Sequence, residues 1–149
     1  MPFAVCHIDE VATVAGQFAV TVSGPDVPPT GPGQCWLIQP AQAGDLPVPV
    51  FPIALSNGRS QFWATAQDLA LPTSPLAAVE PGSTIRILAP VGRKWLPPSQ
   101  IGRLLVAAAD PGHAWPLARL ALTSGWSVAW LWRFRVPEWA GQILPPEVE

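Results

Sequence analysis

The stretch LLVAAADPGHAWPLARLALTSGWSVAWLW, residues 104–132, decides how the chain is read. Its first six residues, LLVAAA, are an unbroken apolar run, the mark of a strand covered on both faces. Asp110, Pro111 and Gly112 follow as a turn. Residues 116–123 (PLARLALT) read as a helix, with Pro116 in the first turn, where its missing N–H is tolerated. Ser124 and Gly125 end it. Residues 127–132 (SVAWLW) form a second apolar strand. Strand, helix and strand within about thirty residues make one βαβ unit.

Upstream the pattern is different. Residues 18–22 (FAVTV) are β-rich and stop at Ser23-Gly24-Pro25, and residues 27–33 (VPPTGPG) are a loop by their Pro and Gly content. Residues 34–38 (QCWLI) read as a strand with Cys35 and Leu37 on one face. Residues 53–65 read as a hairpin, because Asn57-Gly58 supplies the positive-φ pair that tight turns prefer. Pro81-Gly82 is a turn before the alternating strand 84–88 (TIRIL). Many short strands with Pro/Gly turns suggest an antiparallel barrel or sandwich. The expected fold class is mixed β and α/β: an antiparallel β-barrel over residues 1–97, then a βαβ lobe with a Pro- and Trp-rich tail over 98–149.

The composition bounds the function. The chain has 149 residues, 49% hydrophobic and 12% charged. That is apolar enough for a core and excludes an intrinsically disordered chain. Eight Lys and Arg against ten Asp and Glu give a net charge of −2, which leaves no basic surface for nucleic acid. No apolar run approaches the ~20 residues of a membrane span, and the first residues lack the basic start and apolar run of a secretory signal. A cytoplasmic location is expected. Twenty prolines are dispersed along the chain, which stiffens loops and argues against a helical bundle.

Several short strings then take on meaning together. Pro32-Gly33-Gln34-Cys35 resembles the Pro-Gly-Gln-Phe entry to a barrel strand in the ferredoxin–NADP reductase superfamily. Leu76 and Gly82 are spaced as in its helix-then-Pro-Gly-Asp stretch. Residues 89–95 (APVGRKW) resemble its barrel-closing Gly-Pro-x-Gly-x-x-Phe. Residues 104–117 resemble the first strand, turn and helix of its nucleotide domain, and residues 125–128 the start of the second strand. Barrel then βαβ is the order of that superfamily, and the chain resembles the electron-transfer subunit of dihydroorotate dehydrogenase, a flavin-binding member. The resemblance covers nearly the whole chain and implies a barrel followed by a truncated nucleotide domain.

The departures from the family pattern set the functional expectation. The family holds flavin through an Arg and, three residues on, a Ser or Thr on a barrel strand. Here that place reads Phe51-Pro52-Ile53-Ala54. The family's Gly-rich phosphate turn reads Ala70-Leu71-Pro72-Thr73, where Thr73 survives, and Gly112 alone remains of the nucleotide-domain glycines. Two cysteines cannot hold a [2Fe–2S] cluster, which takes four thiolates. The expectation is therefore an interaction or assembly subunit that has lost flavin, iron–sulfur and nicotinamide binding, with no cofactor. The alternative is a FAD-binding electron-transfer subunit that passes electrons to a partner, with Trp63 or Trp95 as a stacking face.

Other sites carry less. Cys6, His7, Cys35 and His113 have poor spacing for a structural metal, and Cys35 is expected to fill the barrel core in place of the family's Phe. Arg93-Lys94 is a solvated turn pair or an anion site, and Arg133 and Arg135 alternate with apolar residues as on an edge strand. Two apolar strands cannot cover both faces of their own sheet. Trp126, Trp130, Trp132 and Trp139 are therefore expected at an interface, joining a homodimer or a partner subunit through the βαβ lobe.

Overall fold

The computed structural model describes residues 3–14, 17–39, 46–55, 57–65, 76, 77, 79–96, 98–107 and 111–131. Seven strands come first: β1 (Phe3–Val14), β2 (Gln17–Ser23), β3 (Cys35–Ile38), β4 (Val48–Val50), β5 (Ile53–Ala54), β6 (Ser60–Thr65) and β7 (Thr84–Val91). They form one sheet in the order β4-β3-β7-β1-β2-β6-β5, with every pairing antiparallel. The end strands β4 and β5 are separated in sequence by Phe51 and Pro52 alone. Two residues reach only about 10 Å, so the sheet has to curl until its two ends meet at that dipeptide.

The curl encloses a core of alternate side chains. Cys6 and Ile8 of β1, Val20 and Val22 of β2, Trp36 and Ile38 of β3, Phe62 and Ala64 of β6 and Ile85 and Ile87 of β7 pack together with Val50 and Leu76. Each large side chain removed from water contributes roughly 1.5–3 kcal/mol. On β3 the structure corrects the expected face. Trp36 and Ile38 point inward and Cys35 is only half-buried on the other side, because the indole is the larger apolar group and takes the interior.

Two of the family-like strings meet in space. The Trp95 N–H donates to the Pro32 carbonyl at 2.7 Å, and the Gln34 side-chain amide donates to the Gly92 carbonyl at 3.2 Å. Gly33 has φ +85°, and a Cβ there would stand 3.0 Å from the Arg93 carbonyl oxygen and 3.1 Å from the Trp95 nitrogen. Glycine is required at this crossing for both conformation and space. The hairpin turn is as expected: Asn57 and Gly58 have φ of 61° and 70°, and the Leu55 N–H donates to the Arg59 carbonyl.

The second lobe is a βαβ unit. Strand β8 (Arg103–Val106) pairs in parallel with β9 (Ser127–Trp130), and helix α1 (Pro111–Thr123) connects them. The helix starts at Pro111, five residues before the expected Pro116, so Pro111 and Gly112 belong to its first turn rather than to a separate turn. A proline is pre-organised for that position. The C-terminus is closed by Gly125 at φ +84°, with the Trp126 N–H bonded to the Ala121 carbonyl and the Gly125 N–H to that of Leu122. This is a Schellman pattern. Val106, Ala118, Ala121, Val128 and Trp130 form the lobe's core, and Trp95 reaches into it from the barrel side.

Candidate functional site

The outer face of the barrel prepares the site. In an antiparallel sheet, directly opposed residues share a face. Thr21 opposes Gln61, Gln61 opposes Ile53, and Ala19 opposes Trp63. These side chains point away from the barrel core, yet Ala19, Thr21 and Ile53 are 2%, 3% and 7% exposed. Helix α1 packs against β6. The Gln61 amide donates to the Thr21 hydroxyl at 3.3 Å, which satisfies part of this strip.

Where α1 and the barrel do not quite close, a cleft of about 250 Å3 opens, lined by Thr30, Pro32, Pro52, Ile53, Ala54, Arg119, Leu120 and Thr123. A second cleft of about 200 Å3 continues from it past Val27, Pro28, Pro29, Leu55, Gly58, Arg59 and Ser60. Thr30, Pro52 and Ala54 line both, so the two form one trough. Its shape is fixed from behind. The Trp36 indole N–H donates to the Thr30 hydroxyl at 2.6 Å, and that hydroxyl donates to the Pro28 carbonyl at 3.2 Å.

Three of the four positions that the resemblance assigns to flavin contact, Pro52, Ile53 and Ala54, line the trough. Phe51, the fourth, is half-buried next to Pro52 in the chain and does not line it. Thr73 lies outside the described residues. Gly112 is not brought to the trough: it sits in the first turn of α1, eleven residues before Thr123, which is about 16 Å of helix. Trp130 is buried in the core of its own lobe, and Trp126 packs against that core beside Gly102. Trp132 and Trp139 lie outside the described residues, as do Arg133 and Arg135. Arg93 and Lys94 are exposed in the loop that crosses Gly33, and the Lys94 stem lies over Gly31.

Sequence reasoning missed Arg59 and Arg119. Both are exposed and line the trough, and neither pairs with a carboxylate among the described residues. The one available signal was position: Arg59 directly follows the Asn57-Gly58 turn that the sequence identifies. Neither cysteine is activated by its surroundings. Burial, then the nearby Asp26 carboxylate, pushes the Cys6 thiol up to about 11, and burial raises Cys35. A thiol held neutral is neither nucleophile nor metal ligand.

One donor is stranded. The Trp63 indole N–H is buried with no hydrogen-bond partner among the described residues. Continuing the β5–β6 register two residues beyond Ile53 and Gln61 sets Trp63 beside Phe51. That is the position at which the resemblance places a phosphate-binding Arg. Two guanidiniums without a carboxylate partner among the described residues and an apolar, proline-lined wall suit a planar ligand that carries phosphate.

A scan against protein-family models and a search of curated proteins found no match. Solved structures do match. A ferredoxin reductase of carbazole 1,9a-dioxygenase aligns with a TM-score of 0.69 at 19% identity, over 100% of this chain and 51% of that one. An NADH-dependent reduced ferredoxin-NADP oxidoreductase, described for flavin-based electron bifurcation, aligns with a TM-score of 0.65 at 20% identity, over 85% and 47%. The FAD/NAD-binding domain of a Vibrio cholerae nitric oxide dioxygenase aligns with a TM-score of 0.67 at 15% identity, over 93% and 66%. The chain thus spans about half the length of the reductases it matches. It shares the fold of these reductase structures. The expectation of no cofactor is corrected by this finding, since solved proteins of this fold are named for FAD or flavin chemistry. No described helix is long and apolar enough to cross a membrane.

Proposed function

We propose that this chain is a flavin-binding electron-transfer module of the ferredoxin-reductase kind. It takes a flavin nucleotide in the trough between the outer barrel face and α1 and serves a protein partner. The observation that carries this reading is placement: Pro52, Ile53 and Ala54 line the trough, and Arg119 of the second lobe lines it with them. A bound flavin would supply the redox chemistry. The chain's own part is to bind, orient and exclude water. Pro32, Pro52 and Ala54 present flat apolar surface to a ring. Proline has no N–H to desolvate, so covering it with an aromatic face incurs little polar penalty. Thr30, locked by Trp36, keeps the wall in place.

The purified protein is mixed with FAD or FMN, freed of excess ligand by gel filtration, and examined by absorbance and thermal melting. Retained flavin bands and a raised melting point are expected, because a ligand held only by the folded state adds about 2.7 kcal/mol at one hundred times its Kd. A colourless protein whose melting point ignores both flavins would sink the reading.

A specific observation favours a second copy as one partner. Leu105 and Leu131, 63% and 56% exposed, lie on the β8–β9 face turned away from the buried Val106, Val128 and Trp130. We place a homodimer contact there. Light scattering is expected to give twice the chain mass, and a monomer that stays monomeric on concentration removes this proposal.

A further inference from the structure

The trough has a guanidinium toward each end. Arg119 comes from α1 and lines the first cleft, and Arg59 comes from the β5–β6 turn and lines the second. No Asp or Glu among the described residues lines either cleft. Among the described residues three hydroxyls line the trough; those of Thr30 and Thr123 are already engaged, and that of Ser60 belongs to a side chain only 8% exposed. The Thr30 hydroxyl donates to the Pro28 carbonyl, and the Thr123 hydroxyl turns back to the Arg119 and Leu120 carbonyls at 3.0 Å each. Backbone donors are scarce, because Pro28, Pro29, Pro32 and Pro52 form much of the wall and none has an N–H. The two arginines are the strong donors left.

We propose that Arg59 and Arg119 are the phosphate-holding groups of this trough and grip the pyrophosphate of an elongated nucleotide from the barrel side and the helix side. They would act in place of the strand-borne cation whose position Phe51 occupies. The choice of a flavin as that nucleotide rests on the function proposed above; the anion site itself does not. An anion leaves water only where cations or N–H groups replace its hydration. Arginine does so with a planar fork that meets two phosphate oxygens at once. Two guanidiniums match the two negative charges of a pyrophosphate diester. Because one arginine belongs to each lobe, the ligand would tie the lobes together. Both side chains are exposed, so the grip is expected to weaken with salt.

Wild type, Arg59→Gln, Arg119→Gln and Arg119→Lys are titrated with inorganic pyrophosphate, riboflavin and FAD by calorimetry, with circular dichroism to confirm that each folds. Wild type is expected to bind pyrophosphate. Each Gln variant is expected to lose about tenfold or more in affinity for pyrophosphate and FAD, the size of one lost charge-assisted contact. Riboflavin, which has no phosphate, is expected to bind all four alike, and Arg119→Lys to restore part of the loss. Wild type that ignores pyrophosphate overturns the inference, as do Gln variants that bind it unchanged. If FAD binds every variant equally, the arginine site falls and the flavin reading survives. If pyrophosphate binding depends on both arginines but no flavin binds, the anion site stands and the flavin reading falls.

Discussion

Phe62 and Trp63 are neighbours on β6 and face opposite ways. Phe62 points into the barrel, where it is 0% exposed among Val20, Trp36 and Ile87. Trp63 points out, away from the core, and its indole N–H finds no partner among the described residues. The inner face is a closed core whose chief polar side-chain group, the Trp36 N–H, is satisfied at 2.6 Å by Thr30. The outer face is almost as buried but less well matched: Ala19 and Thr21 are nearly sealed, while a donor beside them is stranded. A fold that only needed stability would place an apolar ring at residue 63. The outer strip is thus the part of the barrel whose sequence does not serve packing alone, and it adjoins the trough.

The contrast is broken most directly at Phe62. Phe62→Ala removes a ring from a close-packed interior and is expected to cost about 3–5 kcal/mol. Chemical denaturation should show a lower midpoint at unchanged slope. A loss below about 1 kcal/mol would mean that the interior is as loosely matched as the exterior.

The next effect is pH-dependent and belongs to the inner face. Burial, then the Asp26 carboxylate, pushes the folded-state pKa of the Cys6 thiol up to about 11, against 9.0 for a free thiol. Between those values the unfolded chain has released a proton that the native chain keeps, so stability falls as pH rises from about 9 to about 11. The loss is on the order of 2 kcal/mol. It is expected as a downward slope of unfolding free energy in wild type relative to Cys6→Ala, which lacks the group. Parallel curves for the two proteins would show that the thiol is not sealed.

Much of the inner face was legible in the sequence, and the reasons are physical. The 53–65 hairpin follows from Asn57-Gly58, and strand β7 from the alternation in TIRIL. The βαβ unit follows from its two apolar runs and the Gly125 stop. Strand β1 was hidden. Ala4, Cys6 and Ile8 face the core on one phase, and after a register shift between Ile8 and Glu10 the next inward residue is Val11. A bulge of this kind destroys a period-two signal. Helix α1 was started late because Pro116 suggested a first turn, whereas Pro111 already occupies it and Pro116 only forfeits its own bond to Gly112. The trough was partly legible, through positions 52–54. Its cations were not, since Arg59 and Arg119 stand sixty residues apart in the chain and come to one trough only through the packing of α1 against the barrel.

The smallest expected effect is the most informative about that outer face. Trp63→Phe removes the stranded N–H, which as a buried unsatisfied donor costs the native state about 1–3 kcal/mol. It also removes part of a ring, for a packing loss on the order of 1 kcal/mol. The two oppose each other, so the folded protein should be no less stable than wild type by more than about 0.5 kcal/mol. Trp36→Phe provides the control. It removes a similar volume but also a made hydrogen bond, and it leaves the Thr30 hydroxyl short of its donor, so it should cost at least about 1 kcal/mol more than the change at residue 63. If the order is reversed, with Trp63→Phe the costlier change, then the Trp63 N–H has a partner in solution and the outer strip is an ordinary second core.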